Sequence, residues 1–556
     1  MTEFAREAVT VWRTRNLIQY VLEDLEKRVK KDKPTKLSVF FTALSAYMRD
    51  PTNLFLKGPP GVGKTYNVVE TLRYFPVEDT WMLGGLSPKA LIHDHGVLLN
   101  KYGEPIDMLD RPVKPRKHGG QSEEEYAGVL ESYKDKVQAW REEIQGSYTL
   151  IDLSHKILVF LEAPEYRTFH MLYPILSHDT ERISYRFTDK TSRGQLRTSK
   201  VVIQGWPATI FLTVDKLYVE ELATRSFTAT PEASAEKIMA ANILTNRKAS
   251  YPWQYNRETE EFKVIKLLVS SIRTRFIEEK MGVVVPFPNL HAEFPKEIVR
   301  DMRDFQHFTQ LLKTIAALNF YQRPFMKTGD NKFLLAGIQD VKEALQIYSE
   351  IFETTRTGTE ERILTFYRDF VKDGESPYLK QLTALYNDLH EKKASSEIIR
   401  RMLMRLSEIG YVNIQRDDED KRLNVYVPLV KNPEMSKIRH VLETWTISAF
   451  KLEKDLDNWR KNILQQTLFY HYKKFSEDTW GEAEINIENA LKLVSEGKNF
   501  RVADQEKCRI FSKPDSRLET EKKRESVHES KTWTLLDISE VPEGPVPLCR
   551  KCEEDE

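Results

Sequence analysis

Apolar and polar positions along the chain follow helical and strand periods in turn. Residues 5–31 carry apolar side chains at helical spacing, which predicts an N-terminal helical entry. Its inward positions are Val9, Trp12, Leu17, Val21, Leu25 and Val29. A second helix is predicted over residues 36–49, after Pro34. The short apolar run that follows, residues 54–56, is typical of a buried strand.

The eight residues that begin two positions after this run have the full pattern of a phosphate-binding loop. They are Gly58, Pro59, Pro60, Gly61, Val62, Gly63, Lys64 and Thr65. The glycines let backbone N–H groups curl around phosphates, Lys64 brings a point charge to the outer phosphates, and the hydroxyl of Thr65 is a ligand for Mg²⁺. A helix that starts here directs its positive end at the same anion. The sequence therefore predicts binding of ATP with Mg²⁺.

Further strands are predicted over residues 80–83, 148–153, 157–161 and 209–212, and two of them end in polar residues. Nucleotide hydrolases with this loop place Asp and then Glu after an apolar strand, the Asp for Mg²⁺ and the Glu for the attacking water. Here Leu161 stands in the Asp position and is followed by Glu162. Two assignments stay open: Glu162 is the base, which we favour, or Glu162 binds the metal and Glu165 is the base. Thr213 ends the last of these strands.

Basic residues stand on either side of that polar strand end. Residues 183–188 and 196–203 predict two strands joined by a loop with Lys190 and Arg193, and such a hairpin tip is often only solvated. Twelve residues after Thr213 comes Arg225. It either contacts the nucleotide phosphates of a neighbouring subunit or forms a surface salt bridge.

The pattern then becomes helical from residue 233 to 320, which suits a helical lid, with Arg300 and Arg303 as candidate cations for the outer phosphate. A linker rich in Thr and Gly follows. Helices over 360–372, 378–390 and 395–409 and strands over 411–415 and 423–428 then form a winged-helix pattern.

The third helix of this pattern predicts a DNA-binding surface. Its inward positions are Ile398, Ile399, Leu403 and Leu406, and its outward positions are Arg400, Arg401 and Arg405. Four acids in the wing, Asp417, Asp418, Glu419 and Asp420, repel phosphate. A module that contacts protein is therefore the alternative.

Length and composition add limits to this interpretation. A chain of 556 residues is too long for one core. Because 84 basic and 84 acidic residues balance, any DNA site must be local. Three cysteines favour a reducing compartment and, with no apolar stretch of membrane length, a cytoplasmic protein without membrane contact. Cys549 and Cys552 are half of a zinc ribbon, and Cys508 and His528 would complete four ligands at irregular spacing.

These observations predict five regions in an α/β chain. They are a helical entry (1–50), a nucleotide-binding core with a parallel sheet (51–230) that includes a polar insertion (100–146) and the hairpin (183–203), a helical lid (231–355), a winged helix (359–430), and a helical and charged C-terminal region with the CxxC pair (431–556).

Taken in order over about residues 35–430, these parts resemble AAA+ ATPases. The hairpin before the Thr213 strand, the segment SPKAL and the segment RDFQHFTQLLKTIAALNFYQR are similar to the branch with minichromosome-maintenance (MCM) helicases and their relatives on mobile elements. Only the phosphate loop is specific by itself. Leu161 and the absence of an oligonucleotide-binding domain before the loop depart from that branch.

The resemblance implies roles residue by residue. Lys64 and Thr65 serve the phosphates and Mg²⁺, Glu162 the attacking water, Thr213 a polar sensor, Arg225 a finger acting on a neighbouring subunit, and Arg303 a lid sensor. Lys190 and Arg193 touch single-stranded DNA in the channel of a ring, for which a hexamer is favoured. We therefore expect a replicative DNA helicase. The alternatives are an ATP-dependent switch that acts as replication initiator or helicase loader, and a protein-remodelling ATPase.

Overall fold

The computed structural model describes residues 3–85, 87–107, 112–116, 122–162, 166–190, 196–213, 222, 225–255, 257–294, 296, 301–357, 359–373, 378–390, 393–409, 411–417, 420–429, 449–463, 466–474 and 479–496. The chain divides into two compact units, one of Met1–Thr80 with Leu212–Glu556 and one of Trp81–Phe211. In chain order the helices and strands are α1 (Glu3–Thr14), α2 (Leu17–Arg28), α3 (Lys33–Ser45), β1 (Asn53–Lys57), α4 (Lys64–Leu72), β2 (Thr80–Leu83), α5 (Pro88–His95), β3 (Val97–Leu99), α6 (Glu123–Ile144), β4 (Tyr148–Asp152), β5 (Ile157–Phe160), α7 (Tyr166–Leu176), β6 (Arg182–Lys190), β7 (Leu196–Gln204), β8 (Ala208–Thr213), β9 (Phe227–Ala229), α8 (Ala235–Ser250), α9 (Pro252–Tyr255), α10 (Glu260–Arg273), β10 (Gly282–Val284), α11 (Asp301–Leu318), β11 (Phe325–Thr328), β12 (Asn331–Leu335), α12 (Ile338–Thr357), α13 (Glu361–Phe366), α14 (Leu379–Leu389), α15 (Ser396–Glu408), β13 (Val412–Arg416), β14 (Asn424–Pro428), α16 (Ala449–Arg460), β15 (Thr467–Lys474), β16 (Thr479–Ile485) and α17 (Ile487–Glu496).

The N-terminal helices are part of the core of the first unit. All six predicted inward positions are buried, so that prediction is confirmed. The periodic stretch is two helices, because Asn16 caps α2 by accepting a hydrogen bond from the backbone N–H of Gln19. Pro34 lies in the first turn of α3, where it costs no helical hydrogen bond.

The phosphate loop follows β1, a strand of the five-stranded sheet with the order β2-β5-β8-β1-β9. β1 pairs in parallel with β9, and β5 pairs in parallel with β8. All five residues of β1 are buried, as are all four of β5. A buried parallel sheet with helices is the predicted α/β class, and the strands predicted from the apolar runs are found within one or two residues of their expected bounds.

The second unit contains a further sheet with the order β3-β4-β7-β6. β6 and β7 form the predicted hairpin, paired from Arg182 and Gln204 to Lys190 and Leu196. The predicted charged helix of the insertion is α6, which has a capping box and no buried residue. Tyr133 and Trp140 of α6 line a cavity of about 530 Å³ with Pro112 and Pro115.

The region expected to be a helical lid also contains strands. β10, β12 and β11 form a sheet that continues into β15 and β16 of the C-terminal region, so the expectation of purely helical structure in both regions was wrong. The stretch from residue 467 to 474 is rich in Tyr and Phe, and β15 pairs with the edge of β11 from Phe325 and Phe469 to Lys327 and Thr467. Aromatic residues favour a half-buried sheet surface, and this long-range pairing overrides the local helical pattern.

Residues 361–428 form three helices and a hairpin with a hydrophobic core of their own. The core includes Ile399, Leu403 and Leu406 as predicted, but Ile398 is 40% exposed, so its inward assignment was wrong. Ser395 caps α15 by accepting from the N–H of Ile398, as its position suggested. Ile398 thus lies in the first turn, one position away from the buried stripe.

Several predictions lie outside the described residues. They concern Glu165, Arg193, Arg300, Asp418, Glu419, Cys508, His528, Cys549 and Cys552. Among the described residues, no group of His, Cys, Asp and Glu is arranged to hold a metal ion. No described helix combines the length and apolar character that crossing a membrane requires.

Candidate nucleotide-binding site

The phosphate loop has the backbone conformation that its glycines allow. Gly58, Gly61 and Gly63 have φ of 148°, 81° and 93°, values that residues with a side chain rarely adopt. A Cβ at Gly58 would approach Val62 Cγ1 to 3.3 Å, whereas a Cβ at Gly61 would meet nothing within 4 Å. The loop therefore combines a packed base with an open tip, and α4 begins directly after it at Lys64.

Lys64 is held by the loop itself. Its Nζ donates hydrogen bonds to the carbonyl oxygens of Gly58 at 2.5 Å and Pro59 at 3.0 Å. Burial lowers the pKa of Lys64, and the carboxylate of Glu360 opposes that shift. Thr65, in the first turn of α4, is exposed. An ammonium and a hydroxyl at the start of a helix are the donor set that phosphate oxygens and Mg²⁺ require, so the residues present fit a nucleotide.

A second lysine supports the loop from behind. Lys237 of α8 donates to the carbonyl oxygens of Val62 at 2.9 Å and Glu232 at 2.8 Å, and it forms an ion pair with Asp32. Asp32 is 2% exposed, and its other oxygen accepts from the N–H of Glu232 at 2.5 Å. The carboxylate also accepts from Asn67 Nδ2 of α4 at 2.8 Å. We call Lys237, Asp32 and Asn67 the loop clamp.

The loop clamp connects four segments around one buried carboxylate. Asp32 precedes α3, Val62 is in the phosphate loop, Asn67 is in α4 and Lys237 is in the first turn of α8. Because a buried charge is stable only when it is paired and hydrogen-bonded, the four segments hold one another in place. Sequence reasoning missed this cluster, since no motif marks residues 32 or 237. The signals available were a charged residue before a helix and a lysine in the first turn of the next, and both are common on surfaces.

The acidic motif and the polar strand end occupy neighbouring strands. Phe160 of β5 pairs with Phe211 of β8, and Glu162 and Thr213 each follow two positions later. Glu162 is exposed and Thr213 is half-buried. The backbone N–H of Leu161 donates to the carbonyl oxygen of Leu83 at 2.9 Å. Parallel strands bring their carboxyl ends to one edge, which is where ligands bind in such sheets.

Arg225 lies at the other end of the strand next to β1. Leu54 of β1 pairs with Phe227 of β9, so Arg225 is level with Thr52, six positions before Gly58. At the rise of a parallel strand, six residues span about 20 Å. Arg225 is therefore too far from the loop of its own chain to contact phosphates bound there.

The remaining predicted site residues do not join this cluster. Arg303, in the first turn of α11, is exposed, and Lys190 is the last residue of β6. On α15, Arg400 and Arg401 are 59% and 72% exposed, and both approach Glu397 at 3.8 and 3.3 Å. Arg405 approaches Glu408 at 3.0 Å. Exposed pairs of this kind contribute little to stability, so these arginines stay available to a ligand.

Two of the wing acids have structural roles. Asp417 accepts from Tyr378 Oη at 2.5 Å and from the N–H of Asp420 at 2.7 Å, and Asp420 approaches Arg422 at 3.2 Å. These contacts tie the wing to the start of α14. The negative charge that argued against DNA binding is thus partly used inside the module.

No family model and no curated protein matches the chain. Among solved structures, the chain is similar to the Orc1 protein of Aeropyrum pernix in complex with DNA. The match has 12% sequence identity, covers 76% of this chain and 96% of that chain, and has a TM-score of 0.19. A likeness at that TM-score carries no argument about this chain. What the structure itself provides is a parallel α/β sheet with a complete phosphate loop at the end of β1.

Proposed function

We propose that this chain is an ATP-hydrolysing motor of the AAA+ class that acts on DNA as a ring, in the manner of a replicative helicase. The observation that supports it best is the separation of Lys64 and Arg225 along neighbouring parallel strands. An arginine that cannot reach the loop of its own chain is suited to reach the loop of the next one. Such a site is complete only between two copies.

In this proposal each residue has one task. The loop amides and Lys64 hold the β- and γ-phosphates, Thr65 holds Mg²⁺, Glu162 accepts a proton from the attacking water, and Thr213 orients that water. Mg²⁺, when bound, offsets the negative charge of the phosphates. Arg225 of the neighbouring subunit stabilises the charge that develops in the transition state, because a guanidinium has no proton to lose. Arg303 is a proposed lid sensor, and Lys190 and Arg193 are proposed contacts to DNA.

The test measures ATP turnover and particle size together. We expect ATP to promote assembly, and single-stranded DNA to raise the turnover of wild type but not of a Lys190→Ala/Arg193→Ala variant. A matched control is Lys451→Ala/Lys454→Ala on α16, which removes the same charge elsewhere. A chain that stays monomeric with ATP, or whose turnover ignores DNA, contradicts the motor.

A second candidate is an ATP-dependent switch that recognises duplex DNA, such as a replication initiator or helicase loader. Two observations favour it: Leu161 leaves one acid in place of two, and Arg400 and Arg401 are exposed on α15 of a separate module. Slow hydrolysis with retained ATP and preferential duplex binding would support the switch. Arg400→Ala/Arg401→Ala should then abolish the duplex preference, whereas Lys380→Ala/Lys393→Ala in the same module should not. Absence of binding to either form of DNA would favour a protein-remodelling ATPase.

A further inference from the structure

The sheet of the second unit has one face that packs on helices and one that carries charge. Tyr185 on β6 donates from its hydroxyl to the carbonyl oxygen of Met171 of α7 at 2.7 Å. Ile151, Val201 and Ile203 are buried. Because side chains alternate along a strand, Arg182, Ser184 and Arg186 point away from that face, and all three are exposed.

Two cations lie directly opposite each other on the exposed side. Arg186 of β6 pairs in register with Lys200 of β7, and both are exposed. Side chains at opposed positions of antiparallel strands have Cβ atoms about 5 Å apart, and like charges there repel. In the part of the chain that the structure describes, neither side chain forms an ion pair. The chain thus keeps an unfavourable pair at a position where one neutral residue would remove the cost.

Neighbouring positions extend this positive surface. Tyr148 of β4 is the register partner of Lys200, and the Lys200 Nζ lies 5.5 Å from the centre of its ring. Arg182 is four residues before Arg186 on the same strand, and Lys190 is four residues after it. We call Arg182, Arg186 and Lys200 the basic row.

The acid nearest in register does not neutralise the basic row. Asp152 of β4 is aligned with Gln204 and, through it, with Arg182. Its two oxygens accept from the backbone N–H of Ser154 at 2.9 Å and from Gln204 Nε2 at 3.1 Å. The carboxylate is therefore occupied within its own strand pair and turn.

We propose that the basic row binds the phosphate backbone of single-stranded DNA. Adjacent, exposed and unpaired cations on an open sheet surface match a chain of phosphates in charge, and they contact the backbone without reading base edges. An anion between Arg186 and Lys200 turns their repulsion into two favourable contacts. The inference rests on the proposed action on DNA, and it adds a contact surface on the strands that lead to the hairpin tip.

The test is equilibrium binding of a fluorescent oligothymidine, followed by anisotropy at several salt concentrations. Arg186→Ala/Lys200→Ala should weaken binding about tenfold and lower the slope of log affinity against log salt by about two, one for each lost phosphate contact. Lys134→Ala/Lys136→Ala on α6 removes the same charge from the same unit and should bind as wild type does. Arg186→Lys/Lys200→Arg keeps both charges and should also bind normally.

The outcomes separate this inference from the proposed function. If wild type binds the oligonucleotide and Arg186→Ala/Lys200→Ala binds it within twofold with an unchanged salt slope, the basic row is not a DNA site, while the motor stands. If wild type binds no single-stranded DNA at moderate salt, both fall. Circular dichroism and ATP binding of each variant establish that it is folded, because all four positions are exposed and the phosphate loop is in the other unit.

Discussion

Lys237 and Asp32 form an ion pair behind the phosphate loop, although 205 positions separate them in the sequence. The same ammonium holds the carbonyl oxygen of Val62 at 2.9 Å, so the shape of the loop depends on a helix that comes after the whole sheet. Removing the ammonium leaves a buried carboxylate without its cation, which is far more costly than losing an exposed pair.

We therefore predict that Lys237→Met weakens ATP binding more than it slows turnover at saturating ATP. A loss of about 1.4 kcal/mol in loop stabilisation corresponds to tenfold weaker binding. The measurement is the affinity for a fluorescent ATP analogue, together with KM and kcat. Lys248→Met is the control, since Lys248 is on the same helix and bonds only to the hydroxyl of Tyr66. Equal effects of both substitutions on KM would show that the loop clamp does not position the loop.

The second prediction concerns Arg225. If it acts on the neighbouring subunit, Arg225→Ala should bind ATP normally and lose turnover by about a thousandfold, the lower range for an arginine finger. Lys64→Ala should be inactive as well. Mixing the two variants should restore activity, because some interfaces then combine an intact loop from one with an intact arginine from the other.

The mixing experiment has a direct control. Arg247→Ala, an exposed arginine on α8, should retain turnover by itself. A mixture of Lys64→Ala and Arg225→Ala that stays inactive while forming mixed particles would show that Arg225 does not complete a site in trans.

The third prediction distinguishes the two assignments of the acidic motif. If Glu162 is the base, Glu162→Gln should lower turnover by about a hundredfold or more, with ATP and Mg²⁺ affinity unchanged. Glu165→Gln should then have little effect. If Glu162 binds the metal, its substitution should raise the Mg²⁺ concentration needed for half-maximal activity, and Glu165→Gln should be the variant that loses turnover. Both can be measured by titrating Mg²⁺ at saturating ATP.

Local patterns were sufficient for the strands of the central sheet and for the phosphate loop. The run at residues 54–56 is apolar on both sides of the strand, as a buried parallel strand must be, and the loop glycines have no other common purpose. The same holds for α15, where Ser395 and the spacing of Ile399, Leu403 and Leu406 fix both the start and the buried side.

Contacts between distant segments were beyond such patterns. The strand β15 was predicted as helix, because nothing in its sequence announces that β11 offers an edge 142 positions earlier. The loop clamp was missed for the same reason: Asp32 becomes a buried acceptor only once α8 places Lys237 beside it. In each case the deciding partner is set by tertiary packing, which a local period does not encode.

The fourth prediction concerns pH and Asp24, a 1% exposed carboxylate of α2. One oxygen accepts from Tyr74 Oη at 2.6 Å and from Arg28 Nη1 at 2.7 Å, and the other accepts from Thr259 Oγ1 at 2.8 Å. Burial by itself would raise the pKa of Asp24, but the hydrogen bonds from Tyr74, Arg28 and Thr259 and the charge of Arg28 outweigh it and lower the pKa below its ordinary value of 3.8.

A lowered pKa in the folded state means that the ionised carboxylate stabilises the fold. That stabilisation is fully present above the unfolded pKa and is lost as the pH falls from about 3.8 through the folded value. Asp24→Asn keeps the size of the side chain but removes its charge, so it should destabilise the first unit by about 2–3 kcal/mol at pH 7, as expected for a charged hydrogen-bond network. Urea unfolding of wild type and variant between pH 7 and pH 3 should show the difference shrinking as Asp24 becomes protonated. Glu23→Gln, an exposed neighbour on the same helix whose side chain accepts only from Gln19 Nε2, should unfold like wild type across this range. A difference between wild type and Asp24→Asn that stays constant down to pH 3 would show that the ionised carboxylate is not what stabilises α2 against Tyr74 and Thr259.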